Sequence, residues 1–377
     1  MVTNENSKTK IISIASGKGG VGKSVISANL GISLAQEGAR TVVIDLSLGN
    51  SNLHSFLGLK NINPGIGNYL VSKRYDFNDI VFPTEFNGLW FVPGDVFVVG
   101  TADIQTSQKS RLINDILKLN VDYVILDLGP GSSRSIIDFF LISNSGFLVV
   151  TPVTTSLLSS FSFLKNTIMH MILDAFSKNT KVSSYLKRII KENKPGDFPT
   201  MEEILLNIKK ADSKSYKKLK KILSTLQPKM ILNNANTPDD IYNAKKLEEL
   251  IYDNLMINIE CMGLIFKDEA VDESLEDLVP IMKNNTDSIF AKEVHRIALK
   301  IVQSPEFPKM PLDLEYYEDS YELAKIEAEN DYQEIFSSQP IENKFDMEEL
   351  MTVIKDQKRQ INELRGTIRM LTLKNEF

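Results

Sequence analysis

Cysteine is almost absent from this chain. A single residue, Cys261, in 377 positions leaves nothing to bridge, so no disulfide framework is available and the chain reads as cytosolic. Cys261 itself is expected to be a small, partly buried side chain, and one thiol is too few to hold an iron–sulfur cluster. Histidine is nearly as scarce: His54, His170 and His295 stand far apart without cysteine or histidine neighbours, so no metal site is expected on them. Long apolar runs are missing too. The longest, FFLISNSGFLVVTPV, is broken by Ser, Asn and Gly well short of the ~20 apolar residues a spanning helix needs. The opening MVTNENSKTK is polar and lacks the apolar centre of a signal peptide. Neither sign of charge dominates, and the net charge of −6 gives no general attraction to nucleic acid or anionic lipid, although a local basic patch is compatible with it.

What is present is ordinary globular composition, 42% hydrophobic and 24% charged, arranged in a rhythm. Short apolar runs recur: IISIAS (11–16), TVVID (41–45), LWFVP (89–93), YVILDL (123–128), GFLVVTP (146–152), KMILNN (229–234) and MGLIF (262–266). They do not alternate with polar residues, which suits strands buried on both faces of a parallel sheet. Helical patterns lie between them, as in SVISANLGISLAQEG and KSRLINDILKLN. This predicts an α/β fold, a doubly wound, mostly parallel sheet, over residues 1–305.

Three stretches depart from the rhythm. Residues 178–227 are lysine-rich and helical, with Leu and Ile on one side of each piece and Lys on the other, and are expected to be surface helices inserted into the sheet fold. Residues 306–345 are acidic and punctuated by proline, and read as a linker holding a short helix or wrapping back on the domain. Residues 346–377 place Leu350, Ile354, Gln357, Ile361, Leu364, Ile368 and Leu371 in alternating steps of four and three. That is a short coiled-coil seam, with a solitary amphipathic helix against a membrane or partner as the alternative.

The chemistry concentrates at SGKGGVGKS, Ser16–Ser24, which follows a predicted strand and opens a predicted helix. It matches the phosphate-loop pattern G-x-x-x-x-G-K-[ST] from Gly17 to Ser24. Gly19, Gly20 and Gly22 let backbone N–H groups on either side of Val21 turn toward phosphate oxygens with no Cβ in the way. The helix starting near Lys23 presents its positive end to the anion, Lys23 adds a full charge, and the Ser24 hydroxyl is placed to ligate Mg²⁺. Two carboxylates close predicted strands, Asp45 in TVVID and Asp127 in YVILD. At the carboxyl ends of parallel strands they would share the ligand side of the sheet, where they hold Mg²⁺ through water or cap the strand ends.

A second lysine, Lys18, is surplus to simple phosphate binding. The KGGVGKS loop with the TVVID strand resembles the deviant phosphate loop of the MinD/ParA family of ATPases. DLSLGNSNLHSFLGL and YVILDLGPGSSRSIIDFFLISNSGFLVVTPVTTS are similar to the corresponding segments of its FlhG- and MinD-type members. The resemblance spans roughly residues 8–175 and 228–303. It implies an ATP- and Mg²⁺-dependent homodimer in which Lys18 reaches the partner's nucleotide and stabilises charge during γ-phosphoryl transfer. Lys18, Lys23, Asp45 and Asp127 would be the catalytic group, and Ser24, Asp45 and Asp127 the metal group. The loop from Gly17 to Ser24 would bind the phosphates, Asn233 would contact adenine, and Gly129, Pro130 and Gly131 would form the switch that follows nucleotide state.

Two departures from the family pattern matter. Members generally carry a second aspartate after the Asp45 position to place the attacking water; here Asp45-Leu46-Ser47 supplies only a hydroxyl. FlhG-type proteins often open with an activating helix for a partner GTPase, which MVTNENSKTK lacks. The implied function is a dimerising switch, a slow ATPase regulating the placement or number of a cell structure such as flagella. It would work in the cytoplasm or at the inner face of the membrane, with a protein partner and no nucleic acid. The alternatives are a scaffold that holds ATP without hydrolysing it and a DNA-partitioning ATPase with the lysine-rich insertion as its basic face. If the family's water geometry survives, Ser47→Asp raises steady-state phosphate release; an unchanged rate would show that the water is handled elsewhere.

Overall fold

Among the described residues seven of the eight strands run parallel, and their order places the phosphate loop at the middle of one sheet edge. The computed structural model describes residues 9–338 apart from 50, 61–62, 73, 95–103, 144–145, 193–197 and 304–313. The strands are β1 (Lys10–Ala15), β2 (Thr41–Leu46), β3 (Phe82–Pro83), β4 (Leu89–Val92), β5 (Tyr123–Leu128), β6 (Phe147–Val150), β7 (Lys229–Ala235) and β8 (Glu260–Phe266). They lie in the order β3-β4-β2-β5-β1-β6-β7-β8, and β3 alone is antiparallel, to β4. This is the doubly wound α/β sheet expected from the apolar runs. The two-residue β3 had no apolar run to announce it.

The runs are continuous because helices cover both faces. β2, β5, β6 and β8 are buried at every position. On β1, Ile12 and Ile14 join a core that includes Ile26 and Leu30 of the helix Lys23–Gln36 and Val294 and Ile297 of the helix Ile289–Gln303. Between them on the strand, Ser13 is buried and donates from Oγ to the Phe139 carbonyl at 2.9 Å, within the helix Arg134–Phe140. The helix Thr154–Ala175 follows β6, and Ile241–Leu255 packs against it.

The lysine-rich stretch forms three helices, Thr180–Glu192, Met201–Ala211 and Ser213–Thr225, in the connection from β6 to β7. Each buries an apolar stripe: Val182 and Leu186, then Ile204 and Ile208, then Leu219 and Leu223. Thr200 and Glu203 form a reciprocal cap at the start of the second, the Thr200 N–H donating to Glu203 Oε2 at 2.9 Å.

The chain divides into two compact units, Met1–Tyr332 and Gln333–Phe377. Within the stretch read as an acidic linker, residues Leu314–Ser338 form a 25-residue helix, most of it in the first unit. Tyr321, Ala324 and Ala328 are buried at helical spacing, which their acidic neighbours conceal in a reading by composition. This helix covers the outer edge of β8, where strand backbone would otherwise lack a partner. Ser320 Oγ accepts from the Cys261 N–H at 3.2 Å, and Tyr321 donates from its hydroxyl to the Ile259 carbonyl at 3.0 Å. Burial pushes the Cys261 thiol up to about 12, so it is an inert core residue. The predicted coiled coil at 346–377 lies outside the described residues.

One acid in this packing is under electrostatic pressure. Glu293 is buried, and its Oε1 has no hydrogen-bond partner among the described residues. Its carboxyl is pushed up to about 8 by burial, which outweighs the favourable charges of Arg296 and Lys300 and is reinforced by Glu327 and Asp331 across the helix contact. The folded state therefore holds a proton that the unfolded state releases above its ordinary value of 4.5. Stability is full below that value and falls as pH rises to about 8. Glu293→Gln should match the wild type near pH 5 and exceed it by ~1–3 kcal/mol near pH 9, measured as denaturation midpoints at the two values.

Candidate functional site

The phosphate loop joins β1 to the helix Lys23–Gln36, and its shape is fixed by contacts from three other elements. Gly22 sits in the left-handed region with φ 94°, where a side chain would also run into the Asn233 amide. That amide, at the end of β7, donates from Nδ2 to the Val21 carbonyl at 2.8 Å. A Cβ on Gly17 would collide with the backbone of Ser159, so the loop lies directly on the helix Thr154–Ala175. Ser16 accepts at its carbonyl from the Gly131 N–H at 3.1 Å, joining the loop to the Gly129–Gly131 segment. Inside the loop, Ser16 Oγ donates to the Lys18 carbonyl at 2.6 Å and accepts from Lys23 Nζ at 3.0 Å.

The two lysines have opposite surroundings. Lys23 is buried, and burial lowers its pKa while the nearby Asp127 charge raises it. Lys18 is exposed, and its Nζ donates to Thr155 Oγ1 of its own chain at 3.2 Å. Gly19 and Gly20 are exposed beside it, and Gly20 also has positive φ, 75°.

Asp127 is fully buried, and desolvation raises its pKa against the opposing pull of Ser24, Lys23 and Ser27. Ser24 Oγ donates to its Oδ2 at 2.7 Å and Ser27 Oγ to its Oδ1 at 3.0 Å. Asp45 stands opposite Asp127 in the β2–β5 ladder. Its oxygens accept backbone N–H groups of the following loop, Ser47 at 3.0 Å and Leu53 at 3.2 Å. The structure thus joins Asp127 directly to the phosphate-loop helix, whereas the Asp45 contacts seen here hold the chain after β2. Ser47 is nearly buried and lines the cavity described next.

A cavity of about 600 Å³ opens over the loop. Gly19, Gly20, Gly22, Lys23 and Ser24 form one end, with Ser47 and Pro130 beside them. The other end is walled by Asn233, Asn234, Lys267, Val271, Phe56 and Phe290. The residues present fit a nucleotide with Mg²⁺: a side-chain-free cradle, a buried cation, and a hydroxyl–carboxylate pair. Of the far wall, sequence reading anticipated Asn233 and missed Asn234, Lys267, Val271, Phe56 and Phe290. Lys267 and Asp268 directly follow β8, so the carboxyl-end rule that located Asp45 and Asp127 also applies to them. Asp268 is occupied in accepting the Ala270 N–H at 3.0 Å and the Phe290 N–H at 3.0 Å. Ser27 was legible as well, one helical turn after Ser24.

Of the histidines, His170 does meet acids: its Nε2 lies 2.8 Å from Asp138 Oδ1 and 3.3 Å from Asp174 Oδ2. Lys109 pairs with Asp138, and Arg134 lies 3.7 Å from Asp174. The cluster is already neutralised by cations.

The sequence pattern of the CobQ/CobB/MinD/ParA nucleotide binding domain matches residues 12–281. Septum site-determining protein MinD of Helicobacter pylori is 28% identical over 203 residues, 52% of this chain and 73% of that protein. Flagellum site-determining protein YlxH of the same organism is 29% identical over 162 residues, 42% and 53% of the two chains. An uncharacterized ATP-binding protein of Methanocaldococcus jannaschii is 30% identical over 150 residues, 40% and 56%. The chain thus spans just over half the length of some of these relatives. In fold, the Pyrococcus horikoshii MinD complexed with Mg-ADP superposes with a TM-score of 0.54 at 19% identity, covering 81% of this chain and all of that one.

Asn233→Ala removes the donor from a buried carbonyl. It should lower stability by ~1–3 kcal/mol in denaturant and weaken ATP binding about tenfold by calorimetry. Unaltered nucleotide affinity would show that the loop holds its shape without β7.

Proposed function

Because this chain belongs to the CobQ/CobB/MinD/ParA nucleotide-binding family, we propose that it is an ATP-dependent dimerising switch of the MinD/FlhG type. The observation that carries the reading is the separation of the two loop lysines. Lys23 is withdrawn from water near Asp127, as a lysine reserved for phosphate should be, while Lys18 lies on the surface, its ammonium donating to Thr155 at 3.2 Å. A cation so placed is available to a second protomer. In this reading the loop from Gly17 to Ser24 holds the triphosphate, Ser24 and Asp127 attend Mg²⁺ with Asp45 behind them, and Asn233 borders the base. Held by Ser24 and Asp127, Mg²⁺ would supply neutralisation of the phosphate charge. The Gly129–Gly131 segment, tied to Ser16, is the part that responds to nucleotide state.

The output is control of the position or number of a cell structure, with flagella the first choice from the names of the relatives. The setting is the cytoplasm or the inner face of its membrane; among the described residues no helix is long and apolar enough to cross one. A hydrolysis-deficient scaffold is the second reading, and Ser47 favours it by lining the cavity with a hydroxyl where the family pattern has a carboxylate.

Size-exclusion chromatography with light scattering tests the switch. Wild type should double in mass with Mg-ATP and remain monomeric with ADP. Lys23→Ala should lose nucleotide binding, whereas Lys18→Ala should retain it and fail to dimerise. An ATP-loaded Lys18→Ala dimer would end the proposed role for that side chain.

A further inference from the structure

We propose that the lysine face of the helical insertion docks on an anionic lipid surface, and that the helix Thr154–Ala175 couples this docking to the nucleotide site. The chain is acidic overall, yet residues 178–227 carry 13 Lys and Arg against 5 Asp and Glu. On the helix Ser213–Thr225, Lys214, Lys217, Lys218, Lys220 and Lys221 are all exposed. The helix contains no acid, and Asp212 before it is engaged by the Lys214 N–H at 3.0 Å and by Ser215. Lys178 joins Lys214 and Lys218 around a cavity of about 290 Å³. On the other side, Lys209 and Lys220 lie 5.3 and 5.8 Å from the Tyr216 ring centre. Among the described residues, Lys178, Lys214, Lys217, Lys220 and Lys221 form no ion pair with a carboxylate. Like charges gathered without counter-charges raise the energy of the free protein, and a negative surface relieves it.

The composition of the face favours lipid over nucleic acid. Twelve of the thirteen cations are lysines, point charges without the planar fork that reads phosphates and bases at fixed geometry. Ile190 is 46% exposed and shares the solvent side of its helix with Lys187 and Lys191. An aliphatic side chain among lysines suits the boundary between headgroups and acyl chains. The five exposed lysines of the helix Ser213–Thr225 also fall in the range of roughly four to eight that retains a segment on an anionic leaflet.

One helix connects this face to the loop. Near its start Thr155 receives Lys18, and the Ser159 backbone lies against Gly17. Midway, Asn166 Nδ2 donates to Ser132 Oγ at 2.9 Å, beside the Gly129–Gly131 segment, and His170 meets Asp138 one turn later. At its end, Lys218 of the lysine face donates from Nζ to the Ala175 carbonyl at 2.6 Å. Occupancy at either end therefore biases the other, and the effect is reciprocal in affinity. This coupling rests on the nucleotide-switch reading; the docking does not.

The test is flotation of the full chain with vesicles of phosphatidylglycerol and phosphatidylcholine, against pure phosphatidylcholine. The proposal expects binding to the anionic vesicles alone, reduced about tenfold or more in a variant combining Lys217→Glu, Lys220→Glu and Lys221→Glu. The corresponding Lys→Gln variant should lose less, in the same direction, with both variants keeping the wild-type melting temperature. Equal binding to neutral vesicles, or undiminished binding by the Glu variant, overturns the docking. So does stronger retention on duplex DNA that the same substitutions abolish. ATP affinity measured with and without anionic vesicles then tests the coupling. An unchanged affinity refutes it, whereas no ATP binding in either condition refutes the nucleotide reading and leaves the docking intact.

Discussion

Lys23 and Asp127 are removed from water together at the carboxyl end of the sheet, and the architecture of the site follows from keeping them there. Neither charge is comfortable in that position, since burial lowers the lysine's pKa and raises the aspartate's. The Asp127 charge favours the ammonium, which also donates to Ser16, while the carboxylate is relieved first by the Ser24 hydroxyl and then by the Lys23 charge and the Ser27 hydroxyl. A buried ammonium beside a side-chain-free glycine cradle is suited to an anion, and the remaining parts of the site hold that geometry.

Holding that geometry requires elements far apart in sequence. β7 supplies Asn233 to the loop carbonyl, the segment after β5 closes on Ser16, and the helix after β6 lies beneath Gly17. The last of these is the most connected. The helix Thr154–Ala175 touches the surface lysine, the phosphate loop, the residue after the Gly129–Gly131 segment, and the basic insertion in turn. One 22-residue helix thus makes contact with four places that are separate in sequence.

At the opposite margin of the sheet the problem is different. β8 is an edge strand, and the helix Leu314–Ser338 shields it by supplying Ser320 and Tyr321 to its backbone and near it. The contact is fastened by Arg296 with Asp331 and Lys300 with Glu327, 2.9 and 2.7 Å apart. Glu293 lies within the same network without a full complement of partners, which makes this margin sensitive to pH. The far wall of the cavity begins just beyond β8 and includes Phe290 at the start of the Glu293 helix.

Much of this was legible in the residue order, for a physical reason: local patterns report local structure. A phosphate loop is a contiguous turn whose glycines and lysine must be adjacent, so SGKGGVGKS declared the position of the strand–loop–helix turn without help. Unbroken apolar runs declared a sheet covered on both faces, and strand-end position declared Asp45 and Asp127. Acidic composition left the stretch at 306–345 open between a linker holding a short helix and a segment wrapping back on the domain, because the buried Tyr321, Ala324 and Ala328 are small or half-polar and surrounded by charge. Which carboxylate meets Ser24, what holds the loop's shape, and where Lys18 rests were decided only by tertiary structure. Those contacts join residues from 103 to 212 positions apart, and no periodicity along a chain encodes which distant side chain folding will bring within hydrogen-bonding range.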